Sequence, residues 1–146
     1  MQLTAFTDYC LRSLLYLAAS SPETATIKEI ADYYKISQNH LVKVVHRLSQ
    51  LKYVETTRGR NGGIKINDKV YSLHLGDLIT NFEPSMTMVE CFNPETNQCR
   101  VTKFCQLRHY LIEAHQSFMG TMNKYTFSDL TKNIDLFPKI TMMPDP

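Results

Sequence analysis

Leu11, Leu14, Leu15 and Ala18 recur at the three- and four-residue spacing of a helix face. The chain is therefore expected to open with an amphipathic helix from Thr4 to about Ser20, closed by Ser20-Ser21-Pro22. Thr26 and Glu29 form a capping-box pattern ahead of Ile27, Ile30 and Ala31, which predicts a second, shorter helix. Lys35-Ile36 breaks it, and Ser37 can cap a third helix reaching about Lys52. In that helix Leu41, Val44, Val45, Leu48 and Leu51 make one face and leave Asn39, His40, Lys43, Arg47 and Gln50 on the others. Tyr53 to Thr57 reads as a strand, Asn61-Gly62-Gly63 as a turn whose glycine pair permits positive φ, and Ile64 to Ile66 as the returning strand. Farther on, a helix from about Phe104 to Tyr125 carries Leu107, Leu111, Ala114, Phe118 and Met122 as a stripe suited to pairing with another helix.

This pattern predicts a mainly α protein with a small β wing, a winged helix-turn-helix head plus a long dimerisation helix. The expected divisions are residues 1–80 for the head, 81–106 for a cysteine-bearing loop, and 104–146 for the dimerisation helix and C-terminal tail. A head of that size has little surface to cover the apolar stripe, so the expected assembly is a homodimer.

Composition narrows the function. The 146 residues are 43% hydrophobic and 21% charged, with no apolar stretch long enough to span a membrane and no basic stretch preceding a signal-type apolar run. A soluble, cytoplasmic protein with no membrane partner is expected. The net charge of +2 hides an asymmetry: residues 1–70 hold ten Lys/Arg against six Asp/Glu, and residues 71–146 hold six against eight. Lys43, Arg47, Lys52, Arg58, Arg60 and Lys65 fall between His40 and Ile66 with Glu55 as the one acid, a balance that suits a polyanion. A helix of this kind enters the major groove of double-stranded DNA with its amino-terminal side chains at the base edges. Gln38, Asn39 and His40 are then the candidates for base contact, Lys43 for phosphate, and Arg58 and Arg60, beside Gly62 and Gly63, for the minor groove.

Three of the four cysteines are crowded: seven residues separate Cys91 from Cys99 and five separate Cys99 from Cys105. Cytoplasmic cysteines so close together suggest metal or redox chemistry, and soft thiolates select zinc, copper(I) or iron–sulfur clusters over magnesium or calcium. The paired C-x2-C or C-x4-C ligands usual in structural zinc sites do not occur, although a histidine or carboxylate could complete a zinc set. Thiol oxidation is a further alternative. An enzyme pairing one of these thiols with His109 or His115 would lack any accompanying phosphate loop, nucleophile elbow or catalytic carboxylate pair, so no enzyme is expected. Cys10, beside Leu11 and Leu14, reads as a small buried hydrophobe.

Taken together, Leu3-Thr4, Thr7-Asp8-Tyr9, Ser37 with His40-Leu41 and Lys43-Val44, Arg58-Gly59 with Gly62-Gly63, and the three cysteines resemble the cluster-binding winged-helix transcriptional regulators over nearly the whole chain. Phe82-Glu83-Pro84, Val89-Glu90-Cys91 and the wide cysteine spacing are more similar to the nitric-oxide-sensing branch than to the branch that regulates iron–sulfur assembly. The resemblance implies a homodimeric repressor on palindromic operators, with nitric oxide as signal. It implies an iron–sulfur cluster, 4Fe-4S rather than 2Fe-2S, on Cys91, Cys99 and Cys105. The implied fourth ligand is an aspartate in helix one of the other subunit, matched here by Asp8, with Arg12 one turn on to orient it. Read from the residues alone, Asp8 is equally a helix-capping group or half of a surface ion pair.

Overall fold

The computed structural model describes residues 2–20, 24–59 and 62–132. Helix α1 spans Ala5–Ala19 and starts where Thr4, in extended backbone, accepts the Thr7 N–H on its side chain. Helix α2, Ile27–Tyr34, carries the expected capping box, in which Thr26 accepts from the Glu29 N–H and Glu29 accepts from the Thr26 N–H. It stops at Lys35, whose φ of 56° is left-handed and turns the chain sharply into helix α3, Gln38–Gln50, capped by Ser37. Lys52 repeats the device at the end of α3: its φ is 59°, and the Tyr53 N–H reaches back to the Leu48 carbonyl at 2.8 Å.

Strands β1, Val54–Thr56, and β2, Ile64–Ile66, pair antiparallel with Val54 opposite Ile66 and Thr56 opposite Ile64. Ala25 bridges Ile64 from the other side and pins the hairpin to the turn before α2. Val54, Ile64 and Ile66 are buried, while Glu55 and Lys65 face each other on the exposed side, the alternation a half-buried ribbon requires. The glycine pair does not carry the positive φ expected of it. The positive φ of 112° belongs to Gly59, not to Gly62 or Gly63. Gly62 is needed for space instead, since a Cβ there would lie 2.3 Å from the Thr57 carbonyl oxygen as the loop doubles back.

Two short helices add to the elements expected from the sequence. Helix α4, Leu75–Phe82, buries Leu78, Ile79 and Phe82. Its eight residues contain Gly76, and His74, at the capping position before it, supplies no side-chain cap, so the sequence marks its start poorly. Helix α5, Gln106–Met122, is followed by α6, Phe127–Thr131, which returns to the head: the Leu75 N–H donates to the Tyr125 carbonyl and the Phe127 N–H to the Leu73 carbonyl, each at 2.9 Å. Phe127 is fully buried, edge-on to Tyr71 at 5.7 Å.

One continuous core results, with Leu14 of α1, Ile30 of α2, Leu41 and Leu48 of α3, Val70 and Leu78 all fully buried. Each such side chain contributes about 1.5–3 kcal/mol by leaving water. Phe127→Ala is expected to cost about 3–5 kcal/mol, measured by urea unfolding followed by circular dichroism. A loss below about 1 kcal/mol would show that α6 is dispensable to the head.

Candidate functional site: the reading helix and the cysteine loop

Burial of Leu41, Val44, Val45 and Leu48 decides which side of α3 meets solvent. Gln38, Asn39, His40 and Lys43 are all exposed at its amino-terminal half, together with His46. Arg47 is only half-buried and turned inward, its Nη2 donating to the Asn81 carbonyl at the end of α4 at 2.9 Å, so this cation ties α3 to α4. Arg58 and Gly59 are exposed in the hairpin loop, and Gly62 and Gly63 are half-buried at its base. Arg60, the remaining wing candidate, lies outside the described residues.

Asp8 and Arg12 are one turn apart on α1, and the guanidinium grips the carboxylate with two bonds, Nε to Oδ1 at 2.9 Å and Nη2 to Oδ2 at 2.8 Å. Both side chains keep 42–45% of their surface exposed. They line an open depression of about 480 Å³ that also includes Tyr9, Tyr34 and Ile36, which leaves the carboxylate accessible to a second chain. The two neighbours connect it to the reading head. Tyr9 lies 6.2 Å from the ring of His40 at the start of α3, and Arg12 lies 5.8 Å from the ring of Tyr34 at the end of α2. Burial pushes the Tyr34 hydroxyl up to about 12, so it remains a neutral phenol.

Cys10 takes the buried position expected of it, and the other three cysteines lie nearer the surface. Cys10 is fully buried, and burial pushes its thiol up to about 12, with Arg47 opposing the shift. Cys91, Cys99 and Cys105 are free, the first and third half-buried and Cys99 exposed. Their loop is held by short-range polar bonds. Asn97 accepts the Cys99 N–H at 3.0 Å and donates to Thr102 Oγ1 at 3.0 Å, and Thr102 donates to the Cys99 carbonyl at 2.7 Å. Arg108 reaches back from α5 to the Cys91 carbonyl at 3.2 Å, and Glu90 accepts the Gln98 N–H. The composition of the segment is the signal that was available, since Asn and Thr favour such local side-chain-to-backbone bonds.

Among the described residues no three His, Cys, Asp or Glu side chains converge as they would around a single metal ion. The three thiols of the loop are soft donors of the kind that zinc and iron–sulfur clusters take. Asp8 is on a different element from the cysteines. His115 lines another cavity, of about 280 Å³, with Met86, Met88 and Phe118, and its buried Nε2 has no hydrogen-bond partner among the described residues.

Glu83 was also overlooked as a site residue. At the point where α4 gives way to the cysteine loop, its Oε1 accepts the Thr4 N–H at 2.7 Å and lies 3.3 Å from Thr4 Oγ1, so the loop is bonded to the start of the helix that carries Asp8. A separation of 79 residues hides that bond from any local pattern.

Among the described residues no helix is long and apolar enough to cross a membrane. The fold is similar to that of the solved global cysteine regulator CymR (YrzC) of B. subtilis, with a TM-score of 0.70 and 22% identity over 91% of this chain and 98% of that one. It is equally similar to T. potens IscR, with a TM-score of 0.70 and 18% identity over 99% and 94% of the two chains. In sequence the chain is 43% identical to the HTH-type transcriptional regulator NsrR of Bacillus subtilis (strain 168) over 99% of its own length and all of the relative's. Identity to the regulator of the same name in Shouchella clausii is also 43%, over 92% and 91% of the two chains. Residues 3–133 match the family described as Rrf2, iron-dependent transcriptional regulator. With a winged helix-turn-helix head, a reading helix whose polar face is exposed and a match spanning nearly its full length, the chain belongs to the Rrf2 family and is a DNA-binding transcriptional regulator, not an enzyme.

Proposed function

We propose that the chain is a homodimeric repressor in which Cys91, Cys99 and Cys105 of one subunit, with Asp8 of the partner subunit, hold an iron–sulfur cluster of the 4Fe-4S type, and that nitric oxide relieves repression. In this reading residues 1–80 form the DNA-binding head, 81–106 the cluster loop, and 104–146 the pairing helix and tail. The observation that carries it is the separation of cysteine environments: three accessible thiols on one loop, and a fourth sealed in the core. The names of the regulators it resembles over nearly its whole length support the choice of signal.

Exposure on α5 supports the dimer. Phe104 is 87% exposed just before it, and Leu107 and Tyr110 are more than half exposed on its first turns. Apolar surface of that kind is stabilised by a second copy rather than by water. When bound, the cluster supplies one iron held by carboxylate instead of thiolate, the position most open to a small diatomic ligand. The chain's own residues then have defined tasks. Arg12 orients Asp8; Tyr9, next to Asp8, rests against His40; and α1 packs on α3, so a displacement of Asp8 is felt at the amino-terminal end of the reading helix. Two reading helices must match fixed half-site spacing, and a small misfit weakens binding.

At α3, Lys43→Ala is expected to weaken binding to specific and random DNA alike and to reduce the salt slope by about 1, whereas Asn39→Ala should also relax sequence preference. Gly62→Ala should weaken operator binding through the wing, because its Cβ has no room against Thr57, while helical content is unchanged. Fluorescence anisotropy across a salt series, with circular dichroism as control, reads all three. Indistinguishable effects of Lys43→Ala and Asn39→Ala would remove the division of labour.

For the cluster, Cys91→Ala, Cys99→Ala and Cys105→Ala are each expected to abolish the visible absorption of anaerobically prepared protein, and Cys10→Ala to retain it. Titration of the loaded protein with nitric oxide, with operator binding followed in parallel, should release DNA as the absorption collapses. Binding that persists after the collapse, or equal binding by cluster-free protein, overturns the sensing role. Colourless, zinc-bearing protein of full activity overturns the cluster itself.

A further inference from the structure

Asp8, Arg12 and Tyr16 follow one another at four-residue spacing and therefore share one face of α1. Tyr34, the last residue of α2, meets that face between Arg12 and Tyr16. Its ring lies 5.8 Å from the Arg12 guanidinium carbon and 6.2 Å from the Tyr16 ring, to which it is inclined at 65°. Behind it, Tyr33 stands perpendicular at 4.8 Å and itself contacts Tyr16 at 5.2 Å. Tyr16 is buried and Tyr33 and Tyr34 are half-buried, so the three rings brace one another. Arg12 is held from two sides, by the Asp8 carboxylate through two hydrogen bonds and by the Tyr34 ring through its π face.

We propose that Tyr34 is a positioning residue for Asp8: its ring fixes the Arg12 guanidinium, which in turn aims the carboxylate. The proposal rests on the reading of Asp8 as the cluster's non-cysteine ligand. It adds a physical link between that ligand and the reading head, because Tyr34 immediately precedes the left-handed turn at Lys35 that sets the angle between α2 and α3. Without the ring, Arg12 is a long exposed side chain with many rotamers, and Asp8 loses a partner of fixed orientation. The part of Tyr34 that matters is the ring and not the hydroxyl, since the contact with Arg12 is to the π face.

The test uses full-length dimer in two states. In cluster-free protein, the Arg12 Nε–Hε resonance is followed by nuclear magnetic resonance; in loaded protein, the rate of iron release to a chelator is followed anaerobically. Tyr34→Phe is expected to match the wild type in both. Tyr34→Leu is expected to weaken or broaden the Arg12 resonance and to speed iron release by about two- to five-fold, the worth of one exposed cation–π contact. Combining Tyr34→Leu with Asp8→Ala should release iron no faster than Asp8→Ala alone. Urea unfolding checks each variant, and Tyr34→Met replaces Tyr34→Leu if the latter does not fold. An unchanged Arg12 resonance and release rate in the Leu or Met variant, with fast release in Asp8→Ala, overturns the role of Tyr34 and leaves Asp8 as a ligand. A release rate unchanged in Asp8→Ala overturns the ligand reading and this proposal together.

Discussion

Everything outward in this protein depends on what α1 does inward. Cys10, Leu14 and Leu17 form its buried side, and the helix packs on α3, α4, β2 and α6. Cores packed to crystal-like density do not deform continuously, so a helix held on so many sides moves as a unit or not at all. The outer side of the same helix carries Asp8, Tyr9 and Arg12. A group attached there is fixed relative to the reading helix by the core itself, and no flexible segment intervenes. The Cys10 thiol, fully buried and pushed up to about 12 by that burial, serves this packing.

The reading helix obeys the same division. Its apolar residues are consumed by the core, so the polar face at its amino-terminal half is turned outward by default, and Arg47 secures the far end by bonding to α4. The wing follows from β2, which is fastened on both edges by β1 and Ala25. A basic surface built in this way is rigid before it meets DNA, which limits the entropy lost on binding.

The cysteine loop is organised on a different principle. Few of its side chains are buried, and short-range bonds from Asn97, Thr102 and Arg108 give it shape in place of a core. Residues held by local polar bonds can rearrange at low cost when a ligand arrives or leaves. Glu83 anchors this adaptable segment to the rigid one through the first turn of α1. In the proposed dimer each subunit thus offers a rigid carboxylate to its partner and an adaptable thiol loop to itself.

Local chemistry was legible in the chain. The capping box at Thr26 and Glu29, the cap at Ser37, the apolar face of α3, the paired strands of the wing and the burial of Cys10 depend on residues a few positions apart, and each is found as read. The family resemblance rested on the same short motifs. Tertiary structure decided the rest. It turned Arg47 inward, gave the positive φ to Gly59 instead of the Gly62-Gly63 pair, folded α4 and α6 onto the head, bonded Glu83 to Thr4, and set Tyr34 against Arg12. Propensity and periodicity are sums over neighbours along the chain, whereas these contacts depend on which distant surfaces the core has already brought together, and no residue pattern within one turn of helix encodes that.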